Sequence, residues 1–268
     1  MLKFAANLTL LFQELPMLQR FAAARRAGFT YVEMQLPYAW PAMHLRELLQ
    51  ENDLQMILHN LPAGDWDAGE RGIACHPGRI EEYRAGVELG VAYAQTLGVK
   101  QLNVLAGIIP QGVSFQEAEE CFIENLIFTA QRLNKVGIRT LMEPINPYNV
   151  PNFLLTRTDQ AATYLERCKQ PNLFIEYDIF HAQRGEGNLG ETLTRFKDQI
   201  AHIQFADNPG RHEPGTGEIN FPYIFKLLQE LGYPGYVAAE YIPQGKTEDG
   251  LAWAKPWLHA EMPLQNAA

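Results

Sequence analysis

The chain has 268 residues, 47% of them hydrophobic and 11% aromatic, with 22 basic residues against 31 acidic ones and a net charge of −9. That balance excludes the basic face that nucleic acid requires and argues equally against an anionic membrane surface. No apolar run approaches the roughly 18 residues of a membrane helix, and a (β/α) barrel of about 250 residues fits the length as one domain.

Along the chain, strand-like and helix-like segments alternate from end to end. The first run, Phe4–Leu8, reads as a strand rather than a secretory leader. Leu15, Pro16 and Met17 stand where a cleavage site would need small residues. Further apolar or β-branched runs follow at Tyr31–Gln35, Gln55–His59, Leu102–Leu105, Arg139–Ile145, Leu173–Asp178, Ala201–Ala206 and Tyr236–Tyr241. Between them, Pro16–Ala27, Met43–Glu51, Arg79–Leu97, Ser114–Val136, Arg157–Cys168, Leu189–Lys197 and Pro222–Leu231 carry apolar residues at helical spacing. Gly28, Gly98, Gly137 and Gly232 stand where a left-handed residue closes a helix.

Strict alternation implies a parallel sheet, and eight units imply a closed (β/α)8 TIM barrel over residues 1–258. The tail, residues 259–268, lacks periodicity and is expected to fray. An open dinucleotide-binding sheet would place glycines after the first strand, and Asn7–Phe12 contains none. Cys75, Cys121 and Cys168 are odd in number and in no zinc pattern, which reads as reduced thiols of a cytoplasmic protein. Barrels of this kind often pair, so a homo-oligomer is one expectation, although no interface stripe identifies itself.

Two long polar loops, Pro62–Gly78 and Asp207–Asn220, leave the C-terminal ends of strands three and seven. That is the face on which barrel enzymes keep their active sites. Strands five to eight each deliver an oxygen-bearing side chain to the same rim: Glu143, Asp178, Gln204 and Glu240. Three carboxylates sharing a site need a counter-charge. An all-oxygen set suits one divalent cation, Mg²⁺ or Mn²⁺, over Zn²⁺. His59 and His181 are candidate substrate contacts. Arg71, Arg211 and His212 are candidates to neutralise an anionic group. Glu33 ends strand two with functional and structural readings both open. His44, His76, His202 and His259 read as structural or exposed. Serine-nucleophile, P-loop, zinc-protease and Schiff-base signatures are missing from the sequence.

These segments also resemble the hydroxypyruvate isomerase family, among the sugar-isomerase barrels related to xylose isomerase and tagatose epimerase. The resemblance rests on FAANLTLLF (4–12), HNLPAGDWDAGERGIACHPGR (59–79), EPIN (143–146), YDIFHAQ (177–183) and ADNPGRHEPGTGEIN (206–220). It implies metal ligands at Glu143, Asp178, Gln204 and Glu240, an acid/base pair at Glu143 and Glu240, and substrate contacts at His181 and Arg211. The implied reaction interconverts hydroxypyruvate and tartronate semialdehyde, a small anionic hydroxy-keto acid pair, with no nucleotide cofactor. The alternative is a 2-oxo-tetronate or related sugar-acid isomerase. A zinc metallonuclease on the same barrel is disfavoured by the acidic charge and by Gln204 at a ligand position; a silent sugar-acid binding protein is disfavoured by the two glutamates.

Overall fold

The computed structural model describes residues 2–258, so the tail and His259 lie outside the described residues. Eight parallel strands close into one barrel in chain order: β1 (Lys3–Asn7), β2 (Tyr31–Met34), β3 (Gln55–Asn60), β4 (Gln101–Val104), β5 (Arg139–Met142), β6 (Leu173–Asp178), β7 (Ile200–Phe205) and β8 (Tyr236–Ala239). β8 pairs back onto β1, with Ala5 opposite Ala238, so no sheet edge is left open. Each sequence-expected strand is present. Helices α1 (Arg20–Arg26), α2 (Ala42–Glu51), α3 (Ile80–Leu97), α4 (Phe115–Asn134), α5 (Thr158–Cys168), α6 (Ile179–Gly185), α7 (Leu189–Phe196) and α8 (Phe221–Glu230) surround it. The sequence pattern missed α6, whose seven residues are too few to show a helical period.

The main core lies between strands and helices. Leucines, valines and phenylalanines of both layers, among them Phe21, Phe122, Phe205 and Leu126, are fully buried there. Ser114 caps α4 in a reciprocal box with Glu117, which satisfies donors at both positions. Gly98 ends α3 at φ +77°, the left-handed conformation its position predicts. The three cysteines are buried free thiols. Among the described residues no helix is long and apolar enough to cross a membrane.

Inside the barrel, two irregularities set which side chains face the axis. Val32 pairs with Met56 but Glu33 with Leu58, so Ile57 is an extra residue on β3. Ile175 pairs with Ile200 but Glu176 with His202, so Ala201 is an extra residue on β7. Strand side chains alternate between faces, so each insertion inverts everything beyond it. His59 is consequently aligned with Met34 and Leu102 of the outer core rather than with the axis. Its ring meets Tyr38 edge-on with centroids 5.8 Å apart. The insertion at Ala201 turns His202 and Gln204 inward.

Candidate active site

The C-terminal ends of the strands gather buried acids beneath the guanidinium of Arg211. Glu143 and Glu240 stand one residue beyond β5 and β8, Asp178 ends β6, and Gln204 is the penultimate residue of β7. All four are buried. Asp178 is aligned with Gln204 across the β6–β7 pairing.

Glu240 is the most thoroughly held. Its Oε1 accepts from Asn7 Nδ2 at 3.0 Å, Gln35 Nε2 at 3.0 Å and Gln204 Nε2 at 3.2 Å. Its Oε2 meets Arg211 Nη2 at 2.7 Å. Burial raises its pKa, opposed by Arg211 and reinforced by Asp178, and the group is left at about 7. Glu143 accepts from Asn103 Nδ2 at 3.0 Å. Burial first, then Glu240 and Asp178, push it well above the ordinary carboxylate range. Asp178 is raised by burial, against Arg211 and the backbone N–H groups of Phe180 and His181.

Arg211 owes its place to its backbone. Its N–H donates to Asp207 O and its carbonyl accepts from Ile242 N, both at 2.9 Å, with φ at +57°. Asp207 in turn organises the loop. Its Oδ1 accepts from Asn208 and Ile219 N–H at 2.9 and 3.1 Å, and its Oδ2 from Gly215 and Gly217 N–H, both at 2.9 Å. A Cβ at Gly217 would overlap the Asn208 carbonyl, so this turn requires glycine. The guanidinium lies 5.1 Å from the Phe180 ring and 3.6 Å from Asp178 Oδ2. Burial opposes its charge, but Glu240, Asp178 and Glu143 outweigh that and raise its pKa.

His181 lies in the first turn of α6 with Nε2 3.6 Å from Asp178 Oδ2 and 3.9 Å from Glu143 Oε1. Asn146 fixes its tautomer. Asn146 Oδ1 accepts from the Tyr148 and Asn149 N–H groups at 3.1 and 3.0 Å, so the atom 2.6 Å from His181 Nδ1 is the amide nitrogen. Nδ1 is therefore an acceptor, and Nε2 carries the proton toward the acids. Burial, with Arg211 and Arg184, holds the ring neutral, its pKa well below the usual histidine value.

Below this layer Glu33 closes the network. Its Oε1 accepts from Gln204 Nε2 at 2.8 Å and Asn7 Nδ2 at 2.9 Å, and its Oε2 faces His202 Nε2 at 2.8 Å. His202 Nδ1 meets Gln101 Nε2 at 3.0 Å. The open question about Glu33 is thus answered: it orients Gln204 and Asn7. Among the described residues Glu176, two residues before Asp178, has no hydrogen-bond partner on either oxygen, and burial pushes its pKa well above the ordinary carboxylate range.

The donor set fits a hard divalent cation. Among the described residues Gln204 Oε1 and Asp178 Oδ2 are buried without a hydrogen-bond partner, while Glu33 occupies the Gln204 amide nitrogen and so leaves that oxygen for the site. Glu143, Asp178 and His181 also offer atoms within 4.8 Å of one another. The proton on His181 Nε2 makes that ring a hydrogen-bond donor rather than a ligand, and the oxygens of Glu143, Asp178, Gln204 and Glu240 remain.

Three sequence expectations are corrected. His59 is outside the cluster because of the inserted Ile57, and burial lowers its pKa to about 4. Arg71 packs its guanidinium 4.0 Å from the Trp66 ring centre and donates to the Trp66 and Glu70 carbonyls, which ties it to its own loop. His212 bonds the Ile242 carbonyl through Nδ1 at 2.7 Å, fastening the loop rather than facing an anion. His202 is structural, as expected; His44 is exposed, and His76 bonds the Ile108 carbonyl. Asn7, Gln35, Asn103 and Asn146 are site residues the sequence reading missed. Asn7 and Asn103, as amides near the ends of β1 and β4, were the signal available.

A closed parallel barrel whose C-terminal rim carries three buried acids, an amide and a half-buried arginine defines a (β/α)8 barrel of enzyme type. The chain belongs to the xylose isomerase-like TIM barrel family, whose model matches residues 21–257. It is 49% identical to hydroxypyruvate isomerase of Escherichia coli (strain K12) over 257 residues, 96% of this chain and 100% of that protein. It is 41% identical to 2-oxo-tetronate isomerase of Haemophilus influenzae, over 94% of this chain and 97% of that one. A solved structure, AP endonuclease, family 2 from Brucella melitensis, superposes with a TM-score of 0.94 at 40% identity, covering 97% and 100% of the two chains.

Proposed function

We propose that this protein interconverts hydroxypyruvate and tartronate semialdehyde by proton transfer through an enediolate. The observation that carries this reading is the convergence of Glu143 and Glu240 with Arg211 and the Nε2–H of His181 on one buried site. Arg211 binds the substrate carboxylate and orients the three-carbon chain. His181 Nε2–H donates to the C2 carbonyl oxygen. One glutamate removes a proton from C3, the other returns one to C2, and the hydroxyl proton passes from O3 to O2, so the formula is unchanged. A carboxyl group near pKa 7, as at Glu240, is well matched to giving and taking protons at neutral pH.

Glu143, Asp178, Gln204 and Glu240 would hold Mg²⁺ or Mn²⁺, which when bound polarises the carbonyl and stabilises the enediolate charge. The partner is the small anionic hydroxy-keto acid itself. The cytoplasm is the proposed compartment, with three buried free thiols in support.

The higher identity to a hydroxypyruvate isomerase than to a 2-oxo-tetronate isomerase, 49% against 41%, favours the three-carbon acid. Measuring kcat/KM for both acids decides it. A preference for hydroxypyruvate of at least about tenfold, some 1.4 kcal/mol in the transition state, is expected. The reverse order would move the substrate to the four-carbon acid on the same catalytic residues.

A further inference from the structure

The opposite end of the barrel holds a cavity of about 580 Å³ that the isomerase chemistry leaves unused. Lys3, Lys100, Arg139 and Lys197 line it together with one acid, Asp198. They stand at or just before the starts of β1, β4, β5 and β7, so positive charge enters from around the ring and not from one edge. Among the described residues none of these four is in an ion pair. In a chain of net charge −9, four cations against one carboxylate reverse the local sign, and a concave, low-dielectric wall focuses that field.

The inner surface adds carbon and one polar anchor. Tyr236 and Phe174 line the cavity, with Lys3 Nζ 5.4 Å from the first ring and the Arg139 guanidinium 5.6 Å from the second. Gln101, buried at 4% exposure, also lines it, and its amide is held by His202. We propose that this N-terminal mouth is a binding site for a small multivalent anion, a phosphoryl ester or polycarboxylate of a few carbons. Arg139 offers a planar fork to paired oxygens, the lysines act as point charges, and the rings accept the carbon skeleton. Attraction to four cations grows with the charge on the ligand, so a multivalent anion is preferred over a monoanion, which separates this site from the one at Arg211.

Isothermal titration at constant ionic strength tests it, with inorganic phosphate and tricarballylate as probes and chloride as the monovalent control. One saturable equivalent of phosphate or tricarballylate is expected, and the tighter of the two identifies the phosphoryl or carboxylate class. Affinity should fall at least about tenfold, roughly the loss of one or two charge-assisted contacts, in the double variant Arg139→Gln/Lys197→Gln. The same variant should keep its fold by circular dichroism and its isomerase turnover, while Arg211→Gln should bind the probes unchanged. Absence of saturable binding, equal affinity in the double variant, or binding lost only in Arg211→Gln would each overturn the proposal, the last by moving the anion to the other mouth.

Discussion

Glu33 is where a single substitution reads out the internal network most clearly. It is fully buried, and its carboxylate is the acceptor shared by Asn7, Gln204 and His202 at 2.8–2.9 Å. Glu33→Gln keeps the shape and one acceptor. Its oxygen can still serve Asn7 and Gln204, its amide nitrogen then faces His202, and His202 answers by shifting its proton to Nδ1 while Gln101 turns its amide. What is lost is the charge assistance of three bonds, about 2–4 kcal/mol in sum. Glu33→Ala strands three buried donors at about 1–3 kcal/mol each, a total comparable to the whole stability of a typical domain. For a chain of this size about 1 kcal/mol moves Tm by roughly 2–4 °C. Thermal unfolding followed by circular dichroism should therefore rank wild type above Glu33→Gln, lower by about 4–16 °C, and Glu33→Ala far below or insoluble. The folded Glu33→Gln variant should retain kcat within about tenfold, because Gln204 still presents its oxygen. A Glu33→Ala protein as stable as wild type would refute the network. A stable but inactive Glu33→Gln would show that Glu33 takes part in the chemistry directly.

Further outcomes follow from the acids above it. Glu240→Gln keeps the amide contacts and the fold but should lower kcat by about 10²–10⁴, the span of general acid/base effects, in a coupled assay; full turnover would remove Glu240 from the proton transfer. Glu143 and Glu240 have folded pKa values raised above their unfolded ones, so the stability they contribute is complete below the unfolded value and lost as pH rises through the folded value. Buried His59 and His181 act in the opposite sense, and their effect is complete once pH exceeds the unfolded histidine value. Between about pH 6.5 and 7.5, as Glu240 gives up its proton at about 7 in the folded chain, metal-free protein should thus lose stability as pH rises, and Mg²⁺ or Mn²⁺ should restore it most at the upper end. A Tm that climbs over that window, or ignores both cations, would contradict the raised carboxylates and their role as ligands.

Much of this was legible in the sequence because its signals are local. Eight apolar runs separated by helical periods leave one closed topology, and Glu143, Asp178, Gln204 and Glu240 stand out because acids and amides at strand ends are costly to bury without a purpose. His59 was lost to the extra residue at Ile57, which arises from how β2 and β3 pair and has no marker in either strand alone. Arg71 was drawn aside by Trp66, a neighbour in its own loop offering a flat π surface. The amides Asn7, Gln35, Asn103 and Asn146 escaped notice because a neutral side chain reveals its task only through its partners. The tautomer of His181 needed coordinates altogether, resting on which atom of Asn146 two backbone N–H groups had claimed.

In the proposed reaction two buried glutamates move a proton between adjacent carbons of hydroxypyruvate. Proton NMR of the Mg²⁺- or Mn²⁺-loaded protein with hydroxypyruvate in D₂O tests it most directly. Tartronate semialdehyde carrying solvent deuterium is expected, with loss of both product and exchange on adding EDTA or in Glu240→Gln. Hydroxypyruvate recovered unchanged and without deuterium would contradict it.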